Sequence, residues 1–403
     1  MMLPYQSLLP GSGQPEQLDA LPPLPAFAEA TLRFIDALSV SLMRSQGARA
    51  FPELIALAFW MRKSNLERLR TDMLQRMGDI LLLPRGTVLH IAPSNVDTIF
   101  VYSWFLSMLT GNRNIVRLSS KPSPQASQLV GAIADLLAQP AHAAIAERTL
   151  LVQYAPDDRI TERLSAVCDV RVIWGGNSTV QHIRQLALPP TSTEVAFSNK
   201  YSLALLHAHR WQEISEAQKD ALVGAFYNDA YWFDQMACSS PRSVIWVGSR
   251  EQSQAAAADF WPRLEAILAA RHERFGDVDY VNKLIAQDTM AIEFDVRIAA
   301  GISNDLVRVW LDEPALPEQH HCGAGLFFES SLPNLEALRP LLSRTIQTVS
   351  YAGLTKEELR AFVAAEPIAG IDRIVPFGRA LDFGPVWDGF DLFRVFMREI
   401  TIA

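Results

Sequence analysis

The sequence is poor in cysteine, in clustered basic residues and in long apolar runs, and each shortage excludes a class of protein. Its three cysteines, Cys168, Cys238 and Cys322, are too few and too widely spaced for a disulfide framework or a zinc knuckle. With a net charge of -8 and no block of lysine and arginine, the chain lacks the basic surface that nucleic-acid binding needs. The longest apolar run, residues 99–109, is far shorter than the roughly 20 residues that cross a bilayer.

The N-terminus also lacks the basic start and the continuous apolar stretch of a secretory signal peptide. We therefore expect a soluble, cytoplasmic protein in a reducing compartment, with no integral membrane association and no metal site. What is present is the composition of an ordinary globular protein, 49% hydrophobic and 20% charged. Its 403 residues are too many for one small core, so two domains are the natural expectation.

A helical pattern near the start of the chain is followed by stretches in which strands alternate with helices. Apolar residues recur at three- and four-residue spacing over residues 25–76, which predicts helices that pack together. The strands predicted after that block are 87–92, 114–118, 149–154, 170–174, 204–206, 244–247, 307–311 and 325–329. The helices that accompany them are one ending at Met108 and those at 123–137, 158–167, 178–185, 216–226, 254–271 and 357–364. This alternation predicts parallel, doubly wound sheets, which bind ligands beyond the carboxyl ends of their strands.

Cys238 is the strongest candidate for a functional residue. It ends a polar turn, residues 233–242, just before the apolar run Val244–Val247, so that it is fixed at one end and accessible at the other. Arg242 lies four residues further on, and a nearby positive charge moves a thiol from its ordinary pKa of about 8.5 toward the reactive range. The alternative is a small buried apolar residue, which describes most reduced cysteines.

Polar residues also follow the predicted strands of the first half. Asn95 ends a strand and opens a helix, where a side-chain amide can stabilise an oxyanion or can simply cap the helix. Arg117, Ser119 and Lys121 gather before a helix N-terminus, a suitable place for a phosphate, although surface solvation explains each of them equally well. A glycine-rich turn that permits close approach of a pyrophosphate consists of Gly175, Gly176, Asn177, Ser178 and Thr179. It is not the G-x-G-x-x-G fingerprint of dinucleotide-binding proteins.

The order of these motifs resembles the aldehyde dehydrogenase superfamily. More closely, Asp234–Pro241, Arg373–Gly378 and Trp387–Gly389 resemble the LuxC-type acyl-CoA reductases, from about residue 75 to the C-terminus. The resemblance implies an α/β, aldehyde-dehydrogenase-like fold with two doubly wound parallel-sheet domains. Its parts would be an N-terminal arm with helices, a nucleotide-binding domain, a catalytic thiol domain, and a bridging or oligomerisation tail that packs on the cofactor domain or on a partner subunit. The expected boundaries of these four parts are 1–76, 77–200, 201–370 and 371–403.

The resemblance also implies an activity, in which an activated acyl group on CoA, or on a carrier or partner enzyme, is reduced to an aldehyde with NADPH. Cys238 would carry the acyl group as a thioester, while Asn95 and the backbone N–H of Cys238 would hold the oxyanion. Phosphates of the cofactor would lie at residues 176–179, the adenosine ribose and its 2′-phosphate near Arg117, Ser119 or Lys121, and Glu329 would meet the nicotinamide ribose. A homo-oligomer, dimer or tetramer, is expected from the superfamily.

One departure from the superfamily bears on the reaction. Hydrolytic aldehyde dehydrogenases carry Glu-Leu-Gly-Gly-Lys before the nucleophile, and the Glu activates water. If Lys200 aligns with the Lys of that motif, Ala196 occupies the position of the Glu, and Glu194 is displaced by two residues. On a strand this keeps the face but moves the carboxylate by about 6–7 Å. The loss fits acyl transfer, although Glu194 could still serve if a bulge shifted it.

Two other functions remain as alternatives at this stage. The first is an oxidising NAD(P)-dependent aldehyde dehydrogenase, against which the missing Glu counts. The second is a non-catalytic subunit of an acyl-reducing complex, against which the pair of Asn95 and Cys238 counts. The segment His320–Cys322 is expected to be a loop rather than a metal site, because no further His or Cys lies at ligand spacing. The acyl chain and its donor are not defined by the sequence.

Overall fold

The computed structural model describes residues 5–9, 14–78, 80–93, 99–121, 123–271, 274–300 and 303–402. Contacts divide the chain into two compact units. The first unit comprises the described residues through Asn199 together with those from Phe383 onward, and the second unit is Lys200–Asp382. The expected tail, 371–403, is thus divided between the two units, and the helical block that precedes residue 77 belongs to the first.

The strands in the described part of the chain are β1 (Gln6–Ser7), β2 (Leu81–Pro84), β3 (Thr87–Ile91), β4 (Arg113–Leu118), β5 (Thr149–Gln153), β6 (Val170–Trp174), β7 (Thr193–Phe197), β8 (Tyr201–His207), β9 (Pro241–Val247), β10 (Val296–Ala300), β11 (Val307–Leu311), β12 (Leu326–Leu332), β13 (Ile346–Ala352), β14 (Arg373–Pro376), β15 (Val386–Trp387), β16 (Phe390–Asp391) and β17 (Met397–Ile400).

The helices there are α1 (Pro15–Asp19), α2 (Glu29–Arg44), α3 (Gln46–Arg49), α4 (Pro52–Trp60), α5 (Lys63–Met77), α6 (Ile99–Leu109), α7 (Pro124–Leu137), α8 (Ala143–Ala146), α9 (Asp158–Ser165), α10 (Asn177–Arg184), α11 (Ala208–Glu213), α12 (Glu216–Tyr231), α13 (Arg250–Arg271), α14 (Asp277–Glu293), α15 (Lys356–Ala365) and α16 (Leu392–Val395). Short 3₁₀ segments occur at Pro140–His142, Trp232–Gln235 and Leu335–Leu341.

The first unit is built around a sheet of order β1-β5-β4-β3-β6-β7. All neighbours pair in parallel except the edge strand β1. Strands β3 and β6 are buried along their whole length, as expected of a parallel sheet covered on both faces. From β3 the chain runs outward to β4 and β5, then returns to the other side of β3 for β6 and β7. The strand order therefore reverses between β3 and β6, which is where doubly wound folds bind ligands.

Two other parts of the first unit complete it. The N-terminal helices pack through a regular apolar face; in α2 this face is formed by Phe34, Ile35, Leu38 and Leu42. The last strand, β17, pairs antiparallel with β2, so that the end of the described chain joins the unit in which it began.

The second unit contains a sheet of order β10-β11-β12-β9-β8-β13-β14. Only β10 runs antiparallel to its neighbour. Helices α12 and α13 pack on this sheet through a core rich in aromatic rings, including Phe226, Phe260 and Trp261. The two parallel-sheet units confirm the α/β fold predicted from the sequence.

No single helix among the described residues is long and apolar enough to cross a membrane. Helix α7 and the segment Pro140–Ala146 pass such a test only jointly, and they are bent by 95° to each other.

Candidate active site

Cys238 lies at the amino ends of the central strands in the second unit. Its turn is closed by a hydrogen bond from the N–H of Ser240 to the carbonyl of Ala237, 3.0 Å long, and leads directly into β9. Cys238 is half-buried, whereas Ala237 and Ser239 beside it are buried. The sequence predicted a thiol anchored at one end and accessible at the other, and this is how the residue is placed. Its position before β9 in the sequence already implied this amino edge, whereas ligands of doubly wound sheets usually bind at the carboxyl edge.

Two β-bulges shape this edge of the sheet, and both are centred on Ser202 of β8. On one side Gln347 and Thr348 of β13 together oppose Ser202; on the other side Arg242 is the extra residue of β9. A bulge turns side chains out of the regular alternation, and bulges are common beside active sites. Here they direct Gln347 and Arg242 toward the turn that carries Cys238.

Gln347 and Ser202, which face each other at the bulge between β13 and β8, both form hydrogen bonds to Cys238. Gln347 Nε2 donates to Cys238 Sγ at 3.3 Å. Ser202 Oγ donates to the carbonyl of Cys238 at 2.6 Å and accepts from the N–H of Thr348 at 3.1 Å. Gln347 and Ser202 were not predicted. Gln347 lies on β13, a strand that was not predicted because polar residues interrupt its apolar pattern. The glutamine inside this otherwise largely apolar run, which is buried in the structure, was the available signal.

Arg242 is the cation of this site. It is only 6% exposed, and its Nη1 donates to the carbonyl of Lys200 at 2.8 Å. Its guanidinium lies over the ring of Tyr201, 5.8 Å from the centroid. Burial lowers the pKa of Arg242, and charge interactions with Tyr201 and Cys238 oppose that shift. A buried cation of this kind stabilises negative charge that develops next to it.

His321 also packs against Tyr201. The two rings meet edge to face, with centroids 6.2 Å apart. Burial and the charge of Arg242 lower the pKa of His321 to about 3, so its imidazole is neutral near pH 7. In contrast, its neighbour His320 pairs with Glu293, with Nε2 and Oε2 3.0 Å apart. No group of three or more His, Cys, Asp or Glu side chains in the described part of the chain is arranged to hold a metal ion.

Two left-handed turns pack against each other beside Cys238. In the first, Phe233, Asp234 and Gln235 have φ of 61°, 53° and 61°; in the second, residues 323–325 have φ of 74°, 54° and 79°. The carbonyl of Asp234 accepts from the N–H of Ala324, and Gln235 Oε1 accepts from the N–H of Gly325, both at 2.9 Å. Non-glycine residues in this region cost about 1–3 kcal/mol each and persist only where the surrounding structure holds them.

Gln235 is the side chain that ties these turns to the sheet. It is buried, and its Nε2 donates to the carbonyls of Pro241 and Leu326, both at 3.0 Å. These carbonyls belong to the first residues of β9 and β12. The Asp-Gln lead-in to the cysteine, which was noticed in the sequence only as a resemblance, therefore has a structural explanation.

In the first unit, the residues expected to bind phosphate lie at the carboxyl ends of the strands. The turn after β6 brings Gly175 and Gly176 to the start of α10, whose first residues, 177–179, are exposed. A side chain at Gly175 would meet Thr179 Cγ2 at 3.1 Å, and one at Gly176 would meet Asn199 Oδ1 at 3.3 Å. The N–H groups at a helix N-terminus attract phosphate, and glycines at such a crowded place let a pyrophosphate approach the backbone closely.

The other expected cofactor residues are placed differently from one another. Arg117, at the end of β4, is half-buried, and its Nη2 donates to the carbonyl of Tyr154 at 3.4 Å, while burial lowers its pKa. Ser119 Oγ accepts from the N–H of Lys121 at 3.1 Å, and Lys121 is exposed. Asn95 lies outside the described residues.

Glu329 is buried in the core of the second unit, which does not favour the expected contact with a ribose. It is 2% exposed, and its Oε2 accepts from Trp246 Nε1 at 2.9 Å and from Trp261 Nε1 at 2.7 Å. Arg308 Nη1 donates to the other oxygen at 3.4 Å. Burial raises the pKa of Glu329. Its role as a cofactor ligand stays a prediction that this geometry does not support.

Glu194 is also engaged in its own unit. It lies on β7, which pairs with β6 in an unbroken parallel register, so the bulge that could have shifted it is not there. Its carboxylate accepts from Arg171 Nε at 2.7 Å and from Arg184 Nε at 3.0 Å. Ala196, two residues on, is half-buried on the same strand.

A family model described as acyl-CoA reductase (LuxC) matches residues 53–312. The chain belongs to the LuxC family of acyl-CoA reductases. Curated LuxC relatives include a long-chain acyl-protein thioester reductase of Aliivibrio fischeri, 28% identical over 170 residues, which are 41% of this chain and 33% of the relative. Another, of the same name from Photorhabdus luminescens, is 24% identical over 315 residues, 75% of this chain and 62% of the relative. The chain thus matches only about a third to three fifths of the length of these LuxC relatives.

Solved structures show that this LuxC chain has the aldehyde dehydrogenase fold. An NAD-dependent aldehyde dehydrogenase from Sinorhizobium meliloti matches with a TM-score of 0.66 and 11% identity, covering 96% of this chain and 87% of that one. PnpE in complex with nicotinamide adenine dinucleotide matches with a TM-score of 0.62 and 12% identity, covering 93% and 85%. At these identities the likeness concerns the fold alone.

Proposed function

We propose that this LuxC-family chain reduces an activated acyl thioester to the aldehyde through a covalent acyl-enzyme on Cys238. The observation that carries the proposal is the setting of the thiol: half-exposed, contacted by Gln347 Nε2, and electrostatically coupled to the buried Arg242. Membership of a family of acyl-CoA reductases supports the same reading.

In the first step Cys238 Sγ attacks the acyl carbonyl carbon. A C–S bond forms to Cys238, the C–S bond to the donor breaks, and the donor leaves with its thiol sulfur. The amide of Gln347, which contacts Sγ, and the positive charge of Arg242 are proposed to stabilise the Cys238 thiolate before the attack and after the final step. Asn95 and the N–H of Cys238 are proposed to bind the carbonyl oxygen as it becomes an oxyanion.

NADPH, when bound, supplies the hydride that turns the acyl carbon into a thiohemiacetal. Cys238 then acts as the leaving group: the C–S bond breaks, its electron pair returns to sulfur, and the aldehyde is released. The net change is one acyl thioester, one NADPH and one proton converted to an aldehyde, a thiol and NADP⁺. No water is consumed, so the chemistry needs no base that activates water.

The first unit is proposed to hold the NADPH. The crowded glycine turn, Gly175 and Gly176 with the exposed start of α10, fits the pyrophosphate. Arg117, Ser119 and Lys121 follow β4, and the cationic side chains of Arg117 and Lys121 favour the 2′-phosphate that distinguishes NADPH from NADH.

Reduction is favoured over hydrolytic oxidation because neither Ala196 nor Glu194 is suited to activate a water molecule. With Lys200 aligned to the Lys of the superfamily motif, Ala196 takes the place of the water-activating Glu. Glu194 is held by two arginines in an unbroken strand register. On that alignment an oxidising dehydrogenase would lack its water-activating base, which counts against this alternative. The acyl donor is proposed to be acyl-CoA or an acylated protein, the latter because the curated relatives are named acyl-protein thioester reductases. Assembly as a homo-oligomer remains a proposal as well.

The decisive experiment is acyl labelling of the full chain. Incubation with radiolabelled acyl-CoA, without NADPH, should place a hydroxylamine-sensitive label on wild type and on Cys168→Ala, and none on Cys238→Ala. Cys168 is a matched control because it is buried in the other unit and burial raises its pKa to about 12. Equal labelling of wild type and Cys238→Ala would overturn the acyl-enzyme.

Turnover assays then separate the alternatives. NADPH oxidation that requires an acyl thioester supports the reductase. Reduction of NADP⁺ by aldehyde and water, with release of free acid, would support the oxidising dehydrogenase instead. A folded protein that neither labels nor binds nucleotide would leave the non-catalytic subunit as the explanation.

A further inference from the structure

Lys283 is a buried cation in the second unit that the proposed chemistry does not use. It lies on the inner face of α14 and is 1% exposed. Its Nζ donates to the carbonyl of Ala324 at 2.7 Å and to the carbonyl of Asn304. The rings of Phe275 and Tyr280 lie 5.1 and 5.0 Å from Nζ. Burying an ammonium group is costly, so this position calls for an explanation.

An ordinary ion pair does not explain it. The nearby carboxylate, Asp305, accepts from Tyr280 OH at 2.7 Å, from Ser303 Oγ at 2.8 Å and from Arg274 Nη1 at 3.0 Å. Asp305 is thus satisfied by other donors, whereas Lys283 Nζ donates to the two backbone carbonyls named above. If Lys283 only filled space, an apolar residue of similar size could replace it without loss of stability.

The carbonyl that Lys283 binds belongs to the turn beside the thiol. Ala324 has a left-handed φ of 54°, and its N–H donates to the carbonyl of Asp234, in the opposing left-handed turn. Gln235, the next residue, is fixed to β9 and β12 and stands three residues before Cys238. Lys283 is therefore connected to the turn that precedes Cys238 by two hydrogen bonds, both made by the backbone of Ala324, a residue in the left-handed region.

We propose that Lys283 is a positioning residue for Cys238. Its hydrogen bond to the carbonyl of Ala324 keeps the turn 323–325 in its left-handed form. This turn holds residues 233–235, and they place the thiol of Cys238 beside Gln347 and Arg242. The inference rests on the proposed function only in taking Cys238 as the nucleophile. A shift of about 1 Å at a reacting group can lower the rate by on the order of a hundredfold. A residue that fixes the thiol turn from a distance can therefore have a large effect on the reaction rate.

The test compares Lys283→Met with Lys219→Met in the full chain. Lys219 is the matched control: it is 7% exposed in the same unit, but its Nζ pairs with Asp259 at 2.8 Å and Glu216 at 3.1 Å, away from the thiol turns. The rate of alkylation of Cys238 by iodoacetamide, read on its peptide by mass spectrometry, should fall about tenfold in Lys283→Met and stay within about twofold in Lys219→Met. The kcat for acyl-CoA reduction should fall likewise, with KM for NADPH unchanged.

Two further variants keep the outcome clear. Lys283→Gln retains N–H donors without charge and should give an intermediate alkylation rate, which also covers the case in which Lys283→Met does not fold. Lys283→Arg should restore most of the rate. If folded Lys283→Met or Lys283→Gln alkylates at the wild-type rate, the positioning role is wrong, whatever the enzyme does. If alkylation responds as expected but Cys238→Ala still turns over, the proposed reaction fails and the positioning of the thiol stands.

Discussion

At the scale of single residues, Glu194 shows how the structure decides between two roles for one carboxylate. Its partner Arg171 is 2% exposed, so removing the negative charge leaves a buried cation without its counterion. We expect Glu194→Gln to lower the free energy of unfolding by about 3 kcal/mol, since breaking a buried pair is strongly destabilising. Acyl reduction per folded molecule should be unchanged. Urea unfolding and a turnover assay at low temperature measure the two effects.

The control for this change is Glu162, a carboxylate of α9 in the same unit, where Glu162→Gln should alter neither quantity. If Glu194→Gln keeps its stability but loses turnover, the structural role is wrong. Glu194 would then be a candidate acid–base group again.

At the scale of elements, two left-handed turns, 233–235 and 323–325, pack against each other next to the thiol turn. Gly323 has φ of +74°, and a methyl group there would lie 2.6 Å from Met236 Sδ and 2.8 Å from the carbonyl of Asp234. Gly323→Ala should therefore push the turns apart, destabilise the second unit by about 1–3 kcal/mol and slow alkylation of Cys238. The measurements are thermal unfolding and the alkylation assay.

Gly224 is a control for this element because it lies within α12, with nothing within 4 Å of an added Cβ. Gly224→Ala should stabilise the protein by about 0.5–1 kcal/mol, as expected for a helix interior, and leave the thiol unaffected. If the two variants react with iodoacetamide equally fast, the turns do not set the geometry of the thiol.

The elements that could be predicted from the sequence are those whose apolar pattern is local. Strands β3 and β6 are rich in apolar and β-branched residues, and each was predicted to within one residue. Helix α14 was missed because its most apolar residues face solvent: Val278 and Ile292 are 71% and 84% exposed, while its buried face carries Lys283. Strand β13 was missed because its bulge places Gln347 and Thr348 in the pattern.

The residues of the candidate active site also divide into those with a local sequence signal and those without one. Cys238 could be chosen from its own turn, and the resemblance supplied its role. The groups that contact it, Ser202 and Gln347, lie 36 and 109 residues away in the sequence and reach it only because bulges shape this edge of the sheet. Glu329 was chosen by local resemblance, and its indole partners, Trp246 and Trp261, are 83 and 68 residues distant. Pairings at such separations leave no periodic signal in one sequence.

At the scale of the whole molecule, two buried groups, His90 in the first unit and Asp229 in the second, change the stability with pH in opposite directions. In the first unit, burial lowers the pKa of His90 to about 4. Its neutral form stabilises the fold above about pH 6.5, and this contribution is lost as the pH falls toward 4. In the second unit, burial raises the pKa of Asp229 to about 7, although its carboxylate accepts from the N–H groups of Gly378 at 2.7 Å and Ala380 at 2.9 Å.

The sign for Asp229 is the reverse of the usual carboxylate. Between about pH 4 and pH 7 the folded state holds a proton that the unfolded state has lost, so stability declines as the pH rises through this window. Relative to Asp229→Asn, wild type should gain about 2 kcal/mol in free energy of unfolding between pH 7 and pH 5, from 1.4 kcal/mol per pKa unit. Urea unfolding followed by tryptophan fluorescence measures it. Asp288→Asn, an exposed change on α14, should run parallel to wild type. Parallel curves for Asp229→Asn and wild type would show that Asp229 is ionised throughout and that the two N–H donors outweigh its burial.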